Sequence, residues 1–191
     1  MYNIQGIGRV REEIFFTSDY RFYDVEINDG FKDEFERNET IIENHNEVVN
    51  KNDIVYILGN FSFGNPKETL DLIKKLNGRI NLIVGGFDSN GNILSHKKHL
   101  ASCNYKLDFM IDDRYVTLNS YPQMYWYKKE SGAYHLCGYL KGTVPPPAGL
   151  CMDVSIDNNN YYPYNWEEIN DIMQNKMEYI HFDKQREISW M

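Results

Sequence analysis

Ile54-Val55-Tyr56-Ile57-Leu58-Gly59-Asn60 is the segment that decides the fold class. It begins with a near-continuous apolar run, which is typical of a strand covered on both faces, and the glycine and asparagine then end the strand. Strands of this kind occur almost only in sheets that are flanked by helices. We therefore expect a buried strand within a layered α/β domain.

The segments on both sides of this strand alternate between strands and helices. Two further apolar runs, residues 14–18 and 79–84, predict buried strands that end in polar or glycine-rich turns. Residues 31–50 place apolar side chains at helical spacing, and Asn65-Pro66-Lys67-Glu68 has the N-cap, proline and acidic residue of a helix start. The order strand, helix, strand, helix, strand indicates an α/β fold.

The second half of the chain indicates a different kind of sheet. Two β-rich runs, residues 105–110 and 114–118, flank Asp112-Asp113 like the arms of a hairpin. The proline-rich residues 142–149 are expected to form a loop that leads into another strand, because proline cannot continue a helix or a central strand. Residues 165–168 then resemble a capping box that opens a final helix. We expect this sheet to be antiparallel or mixed.

Length, composition and charge restrict the class of protein. The 191 residues, 42% hydrophobic, are enough for one sizeable core, so we expect a single domain over residues 1–191, with its core at about 14–178 and a tail at 179–191. The formal net charge of −8 argues against an extended nucleic-acid-binding surface. The apolar stretches are far shorter than the roughly 20 residues of a membrane span, and no secretory signal is recognisable. We expect a cytoplasmic protein that does not contact a membrane.

The cysteines give only a weak indication of a site. Cys103, Cys137 and Cys151 are odd in number and lack CxxC spacing, so we expect buried reduced thiols and neither a disulfide framework nor a cysteine zinc site. We expect His135 and Cys137 to point to opposite faces of one strand. This arrangement would argue against a Cys–His nucleophile.

Three other histidines have structural explanations. The three-residue spacing of His96 and His99 would let both imidazoles ligate a metal from one helical face, but no third ligand is evident nearby. We therefore expect a solvated surface pair. His45 lies on the apolar side of its helix, and we interpret it as a core histidine with satisfied hydrogen bonds.

Five polar turns follow the apolar runs, and we expect them to gather at one edge of the sheets, where α/β domains place their sites. They are residues 18–22, 58–64, 84–88, 119–122 and 135–142. In this order the turns resemble those of the calcineurin-like metallophosphoesterases, whose strand ends carry D-x-H, G-D, G-N-H-D, a lone His and G-H-x-H. The flanking residues are similar to the small bacterial and phage branch. The resemblance implies a metallophosphoesterase-like four-layer α/β/β/α sandwich with two mixed sheets, and two bound metal ions in active members.

Compared with these motifs, the chain keeps one of the seven metal ligands. Asp19 matches the first aspartate, whereas the other six ligand positions are Arg21, Asn60, Gly86, Tyr121, Tyr139 and Lys141. In the third motif, Phe87 replaces the histidine that assists the leaving group, and Asp88 matches. Guanidinium and ammonium groups have no lone pair to offer a metal, and they change the formal charge over the seven positions from −2 to +1. We therefore expect no two-metal centre and no inherited hydrolysis.

A pseudoenzyme is the first hypothesis that follows. Asp19 is expected to form an ion pair with Arg21 or Lys141 where the family binds metals. Without catalysis, the protein would act by binding a macromolecular partner, and its acidic charge favours a basic one. The aromatic residues 121–127 and the tail end at residues 188–191 are the candidate contact segments. The phage-like branch suggests a phage gene and the cytoplasm of a host.

Two alternatives remain open. The first is a metal-dependent phosphoesterase whose reorganised site uses Asp19, Asn60 and Asp88 with Mn²⁺ or another divalent metal, assisted by the histidine pair. The second is a metal-free module in which Arg21 and Lys141 bind a phosphate or a nucleotide. No cofactor is expected under the first hypothesis or in the metal-free module.

Overall fold

The computed structural model describes residues 12–27, 29–89, 92–141, 143 and 145–188, with side chains to residue 177. The strands are β1 Ile14–Thr17, β2 Ile54–Leu58, β3 Arg79–Ile83, β4 Ser102–Asn104, β5 Lys106–Ile111, β6 Arg114–Asn119, β7 Tyr134–Cys137, β8 Cys151–Asp153 and β9 Tyr164–Asn165. The α-helices are α1 Glu34–Val48, α2 Pro66–Lys75, α3 Gly86–Ser89 and α4 Trp166–Ile188. Short 3₁₀ segments lie at Asn92–His99, Lys129–Ser131 and Ile156–Asn158.

Two mixed sheets organise the fold. The first has the order β4-β3-β2-β1-β9, in which β1 to β4 are parallel and β9 is antiparallel to β1. The second has the order β5-β6-β7-β8, in which β5 and β6 form an antiparallel hairpin and the remaining pairs are parallel. The predicted strand at residues 54–58 is confirmed and lies at the centre of the first sheet. A mixed α/β architecture with two mixed sheets is likewise confirmed.

The helix starts follow the capping residues of the sequence. Asp33 caps α1 by accepting hydrogen bonds from the backbone N–H groups of Phe35 and Glu36. At α2, the side chain of Asn65 accepts from Lys67 and Glu68, and the Glu68 carboxylate accepts from the N–H of Asn65 at 2.7 Å. These reciprocal bonds satisfy N–H groups that the first helical turn leaves unpaired, which explains why α2 begins at the proline.

The apolar core divides according to the faces of the strands. In β2, Val55 and Ile57 pack with residues of α1 and α2 on one side of the first sheet, whereas Leu58 faces the other side. There Leu58 joins Leu136 of the second sheet, and Met173 of α4 belongs to the same cluster. The two sheets therefore share an interior, and α4 packs against it.

A third, smaller cluster covers the opposite face of the second sheet. It contains Trp126, Leu140 and the two cysteines of β7 and β8, Cys137 and Cys151. The indole Nε1 of Trp126 donates to the carbonyl oxygen of Ala133 at 2.8 Å. Part of the predicted aromatic segment therefore covers core residues.

Several sequence predictions fall at or beyond the limits of the description. The backbone of α4 continues to Ile188, across the predicted boundary between core and tail at residues 178 and 179. The N-terminal residues 1–11, Gly142 and Val144 of the proline-rich loop, and the tail end at 189–191 lie outside the described residues. None of the helices within the described residues combines the length and the apolar character that crossing a membrane requires.

Candidate functional site at the strand ends

The carboxyl ends of strands from both sheets meet at one edge of the molecule. The N–H of Ser18, which follows β1, donates to the carbonyl oxygen of Val154 after β8 at 3.1 Å. The hydroxyl of Ser120, which follows β6, donates to the carbonyl oxygen of Val84 after β3, also at 3.1 Å. These two hydrogen bonds connect the sheets and bring the polar turns of the sequence together.

Asp19 lies at the centre of this edge with its side chain fully buried. Its Oδ1 accepts from the Nδ2 of Asn60 at 2.6 Å, and its Oδ2 accepts from the hydroxyl of Ser18 at 2.9 Å and the N–H of Tyr139 at 2.8 Å. Neutral donors thus compensate the buried carboxylate, because each hydrogen bond replaces part of the hydration that burial removed.

The predicted ion pair at Asp19 is wrong. The guanidinium of Arg21 forms its ion pair with Asp24, and the N–H of Asp24 donates to the carbonyl oxygen of Arg21 at 3.2 Å. This turn places the Asp24 carboxylate beside the guanidinium, three residues along the chain. Lys141 is half-buried, and within the described part of the chain neither it nor Arg21 forms an ion pair with Asp19.

Asp88 connects the ends of β2 and β3. Its carboxylate accepts the N–H groups of Asn60 at 2.8 Å, Phe61 at 2.9 Å and Gly85 at 2.8 Å. Burial raises the pKa of Asp88, against the opposing effect of these three donors. The geometry gives Asp88 a structural function, since both oxygens are occupied in holding two turns.

Exposed aromatic side chains surround the buried polar groups. The rings of Tyr121 and Tyr139 lie 4.9 Å apart, and those of Phe63 and Phe87 lie 5.0 Å apart. Each of these four side chains is between 42% and 49% exposed, and we refer to them as the aromatic rim. A Cβ at Gly86 would lie against the hydroxyl of Tyr121, so any larger residue at this position would require the tyrosine side chain to move.

The turns of this edge share an unusual backbone conformation. Five residues other than glycine have positive φ angles there: Asp19 at 59°, Arg21 at 47°, Asn60 at 55°, Tyr139 at 74° and Lys141 at 51°. Left-handed backbone costs an ordinary L-residue roughly 1–2 kcal/mol, although Asn and Asp adopt it more readily. The surrounding hydrogen bonds and packing therefore impose the turn geometry on these residues.

The residues present do not fit the two-metal centre that the resemblance implies. At the seven ligand positions, carboxylate and amide oxygens come from Asp19 and Asn60. Both carboxylate oxygens of Asp19 already accept hydrogen bonds. Among the described residues, the Oδ1 of Asn60 is a buried acceptor without a hydrogen-bond partner. One free amide oxygen is a poor start for a divalent site, and Arg21 and Lys141 offer no lone pair at the positions where the motifs have histidines.

The prediction for His45 is confirmed. Its Nδ1 accepts from the hydroxyl of Tyr20 at 2.5 Å, and its Nε2–H donates to the carbonyl oxygen of Asn77 at 2.9 Å. Burial lowers the pKa of His45 to about 4, so the imidazole is neutral near pH 7.

Of the two histidines at the end of the 3₁₀ segment, His99 is exposed, as predicted, whereas His96 is half-buried. The rings of His96 and His99 are 6.3 Å apart, and the Nε2 of His96 donates to the carbonyl oxygen of Pro66 at 2.7 Å. No third side chain of the described residues joins them in a metal-binding group.

The expectation that His135 and Cys137 face opposite ways is wrong. Side chains alternate along a strand with a period of two, so residues two positions apart share a face. His135, Cys137 and Cys151 of the neighbouring strand each place a ligand atom within 4.8 Å of the others. Cys137 and Cys151 are buried and free, as expected. Cys103 is also free, but it is half-buried and does not belong to this cluster. The strand period alone places His135 and Cys137 on one face, whereas the position of Cys151 depends on the pairing of β7 with β8.

Comparisons with known proteins identify similar chains but no described activity. No family model matches the sequence. The chain is 38% identical over 85 residues to the uncharacterized protein MJ1445 of Methanocaldococcus jannaschii, a match that covers 41% of this chain and 48% of the relative. The chain thus spans about half the length of the curated relative it matches. The crystal structure of AQ665, a protein of unknown function from Aquifex aeolicus, covers 85% of this chain and all of its own, with a TM-score of 0.60 and 21% identity. At this identity the likeness shows the fold alone.

Proposed function

We propose that the protein is an inactive member of the calcineurin-like phosphoesterases, a pseudoenzyme that acts by binding a protein partner. The proposal includes the four-layer α/β/β/α sandwich of that family. It is supported by five motif-like turns in the family's order, which lie at the ends of strands in two mixed sheets. The observation that carries it is the state of Asp19. This single retained ligand is buried and accepts three hydrogen bonds from neutral groups.

The aromatic rim is the binding surface in this proposal. Tyrosine and phenylalanine rings supply large contact areas with little loss of side-chain entropy, and they are enriched at protein interfaces. Three further exposed side chains follow Tyr121 in the sequence: Met124, Tyr125 and Tyr127. The net charge of −8 favours a basic partner through long-range attraction.

Calorimetry with Mn²⁺ tests the loss of the metal centre. The full chain is stripped with a chelator and titrated, with the Cys137→Ser/Cys151→Ser variant as a control that removes the other candidate ligands. We expect no binding of two ions and no Mn²⁺-dependent cleavage of bis-p-nitrophenyl phosphate. Binding of two ions together with hydrolysis, both abolished by Asp19→Ala, would instead establish the metal-dependent phosphoesterase.

Substitution in the rim tests the binding surface. Cross-linked partners are compared between the unmodified chain, the Phe87→Ser/Tyr121→Ser variant and Met110→Ser. Met110 is a matched control because it is 50% exposed and lies near the hairpin turn of β5 and β6, at the other end of β6 from the rim. We expect a basic protein to be recovered with the unmodified chain and the control, and lost with the rim variant. Equal recovery with all three proteins contradicts the proposal.

A metal-free anion site is the second candidate. The Nε of Arg21 is buried and has no hydrogen-bond partner among the described residues, so a phosphate oxygen can accept from it once the side chain turns toward solvent. A thermal shift with inorganic phosphate or ATP, abolished in the Arg21→Ala/Lys141→Ala variant, would support this function. An unchanged shift in the double variant excludes it.

A further inference from the structure

We propose that Cys137, Cys151 and His135 bind a Zn²⁺ ion at a buried site on the outer face of the second sheet. The inference is independent of the proposed function, because these residues lie within strands β7 and β8 and none of them is one of the seven ligand positions of the metallophosphoesterase motifs.

Strand register brings the three side chains together. Strands β7 and β8 are parallel neighbours in which His135 is paired with Cys151. The alternate residues Leu136 and Met152 point into the interior between the sheets. The two cysteines belong to the cluster on the opposite face, and His135 shares that face because it is two residues from Cys137.

The separations of the ligand atoms suit a tetrahedral ion. The Sγ atoms of Cys137 and Cys151 are 3.9 Å apart, and each lies within 4.8 Å of a ring nitrogen of His135. Two sulfur atoms, each about 2.3 Å from a zinc ion at the tetrahedral angle, are separated by about 3.8 Å. Zinc therefore fits with small adjustments of the side chains.

The charge of the proposed site also suits its burial. Two thiolates neutralise one Zn²⁺, so no net charge remains in the apolar surroundings. The ring of His135 accepts from the N–H of Gln123 at 3.0 Å, and its other nitrogen donates to the carbonyl oxygen of Thr117 at 3.1 Å. Because a neutral imidazole has one lone pair, zinc binds at Nε2 in place of the N–H of Gln123, and the Nδ1–H bond to Thr117 orients the ring, as is usual for histidine ligands.

The ligand set selects among metals. Thiolate and imidazole ligands favour zinc over the hard ions Mg²⁺ and Mn²⁺, which prefer oxygen. The cluster holds three such side chains within the described part of the chain, so a water molecule or another small ligand completes the tetrahedron. Lys176 lies at the border of the site, where its Nζ donates to the carbonyl oxygen of Cys151 at 2.6 Å.

Cobalt spectroscopy tests the site on the full chain. After reduction and removal of metals, we expect one Co²⁺ per chain to produce a thiolate-to-cobalt charge-transfer band that Zn²⁺ abolishes by competition. Cys103→Ser is the matched control and leaves the band unchanged. Cys137→Ser and Cys151→Ser each weaken Co²⁺ binding roughly 100-fold or more. Absence of the band in the unmodified chain, or a band unchanged in both site variants, overturns the proposal.

A second measurement does not depend on the folding of the variants. The unmodified chain is alkylated in mild denaturant, with and without Zn²⁺, and the modified cysteines are identified by mass spectrometry. We expect Zn²⁺ to protect Cys137 and Cys151 and to leave the alkylation of Cys103 unchanged. Equal alkylation with and without Zn²⁺, or a zinc-free chain with a Cys137–Cys151 disulfide, contradicts a metal site.

Discussion

Asn60 shows how one amide determines the chemistry of the strand-end edge. The metallophosphoesterase motif that this turn resembles has a carboxylate at this position, whereas here the Nδ2 of Asn60 donates to Asp19 at 2.6 Å. This hydrogen bond compensates the burial of the Asp19 side chain, whereas a second carboxylate at residue 60 would need a cation between the two groups. Both asparagine and aspartate accept the positive φ of 55°, so exchanging them changes the charge and leaves the backbone conformation in place.

Asn60→Asp should lower the free energy of unfolding by about 2–4 kcal/mol at pH 7, because two buried carboxylates then face each other without a donor between them. One carboxyl of the pair would have a raised pKa, so the folded variant binds more protons than the unfolded chain and regains stability as the pH falls. Urea unfolding at pH 7 and pH 5 measures the effect. Asn60→Gly is compatible with the positive φ and removes only the hydrogen bond, so its loss in the free energy of unfolding should not vary with pH. Equal losses for Asn60→Asp at both pH values contradict the argument.

His45 should make the protein less stable in mild acid. Its pKa is lowered from 6.5 to about 4 by burial, so between these values the unfolded chain binds a proton that the folded chain does not. Stability is therefore lost as the pH falls from 6.5 to 4, by about 3 kcal/mol. The free energy of unfolding, measured with urea at several pH values in this range, should change less steeply with pH in His45→Gln. Burial also lowers the pKa of His135, so the difference between the two proteins, and not the absolute slope, is the test. Identical slopes would disprove this role of His45.

At the scale of elements, apolar runs predicted three of the five strands of the first sheet. Strand β2 has the predicted bounds. Strands β4 and β9 were not predicted, because they are three and two residues long and lack an apolar run. The site was predicted only in part. Parallel strands bring their ends to one edge, which follows from topology, but the partner of Arg21 depends on the conformation of a turn. Spacing along the chain does not reveal that conformation.

Gly59 should be essential to the junction between these elements. Its φ is +85°, and an added Cβ would lie 2.9 Å from the Cβ of Ser120 and 3.0 Å from the Cα of Gly85. Gly59→Ala therefore forces β2, β3 and β6 apart, and we expect a loss of about 2–4 kcal/mol in the free energy of unfolding. Gly30→Ala is the control, since Gly30 has a φ of +94° with nothing within 4 Å. Its loss should be limited to the backbone strain of about 1–2 kcal/mol. Chemical denaturation compares the two variants, and equal losses refute a steric role.

At the scale of the whole molecule, the shared interior should make the two sheets unfold together. Leu58 of the first sheet and Leu136 of the second are both fully buried in one cluster. Leu136→Ala should cost about 2–5 kcal/mol through the lost apolar contact and the cavity left behind. Tryptophan fluorescence, to which the buried Trp126 contributes, and far-UV circular dichroism of the helices should still give coincident transitions. Two separated transitions in the variant would mean that the sheets fold independently.

The left-handed turns at the strand ends make this edge a scaffold for design. Five side chains of different chemistry occupy backbone positions that hydrogen bonds and packing hold in place. The direction in which each Cα–Cβ bond leaves the main chain is thus fixed independently of the residue type. New recognition groups can be installed at the solvent-accessible positions Tyr139 and Lys141 without rebuilding any loop, provided that Asp88 keeps its three backbone donors and that Asp19 and Asn60 keep their hydrogen bond.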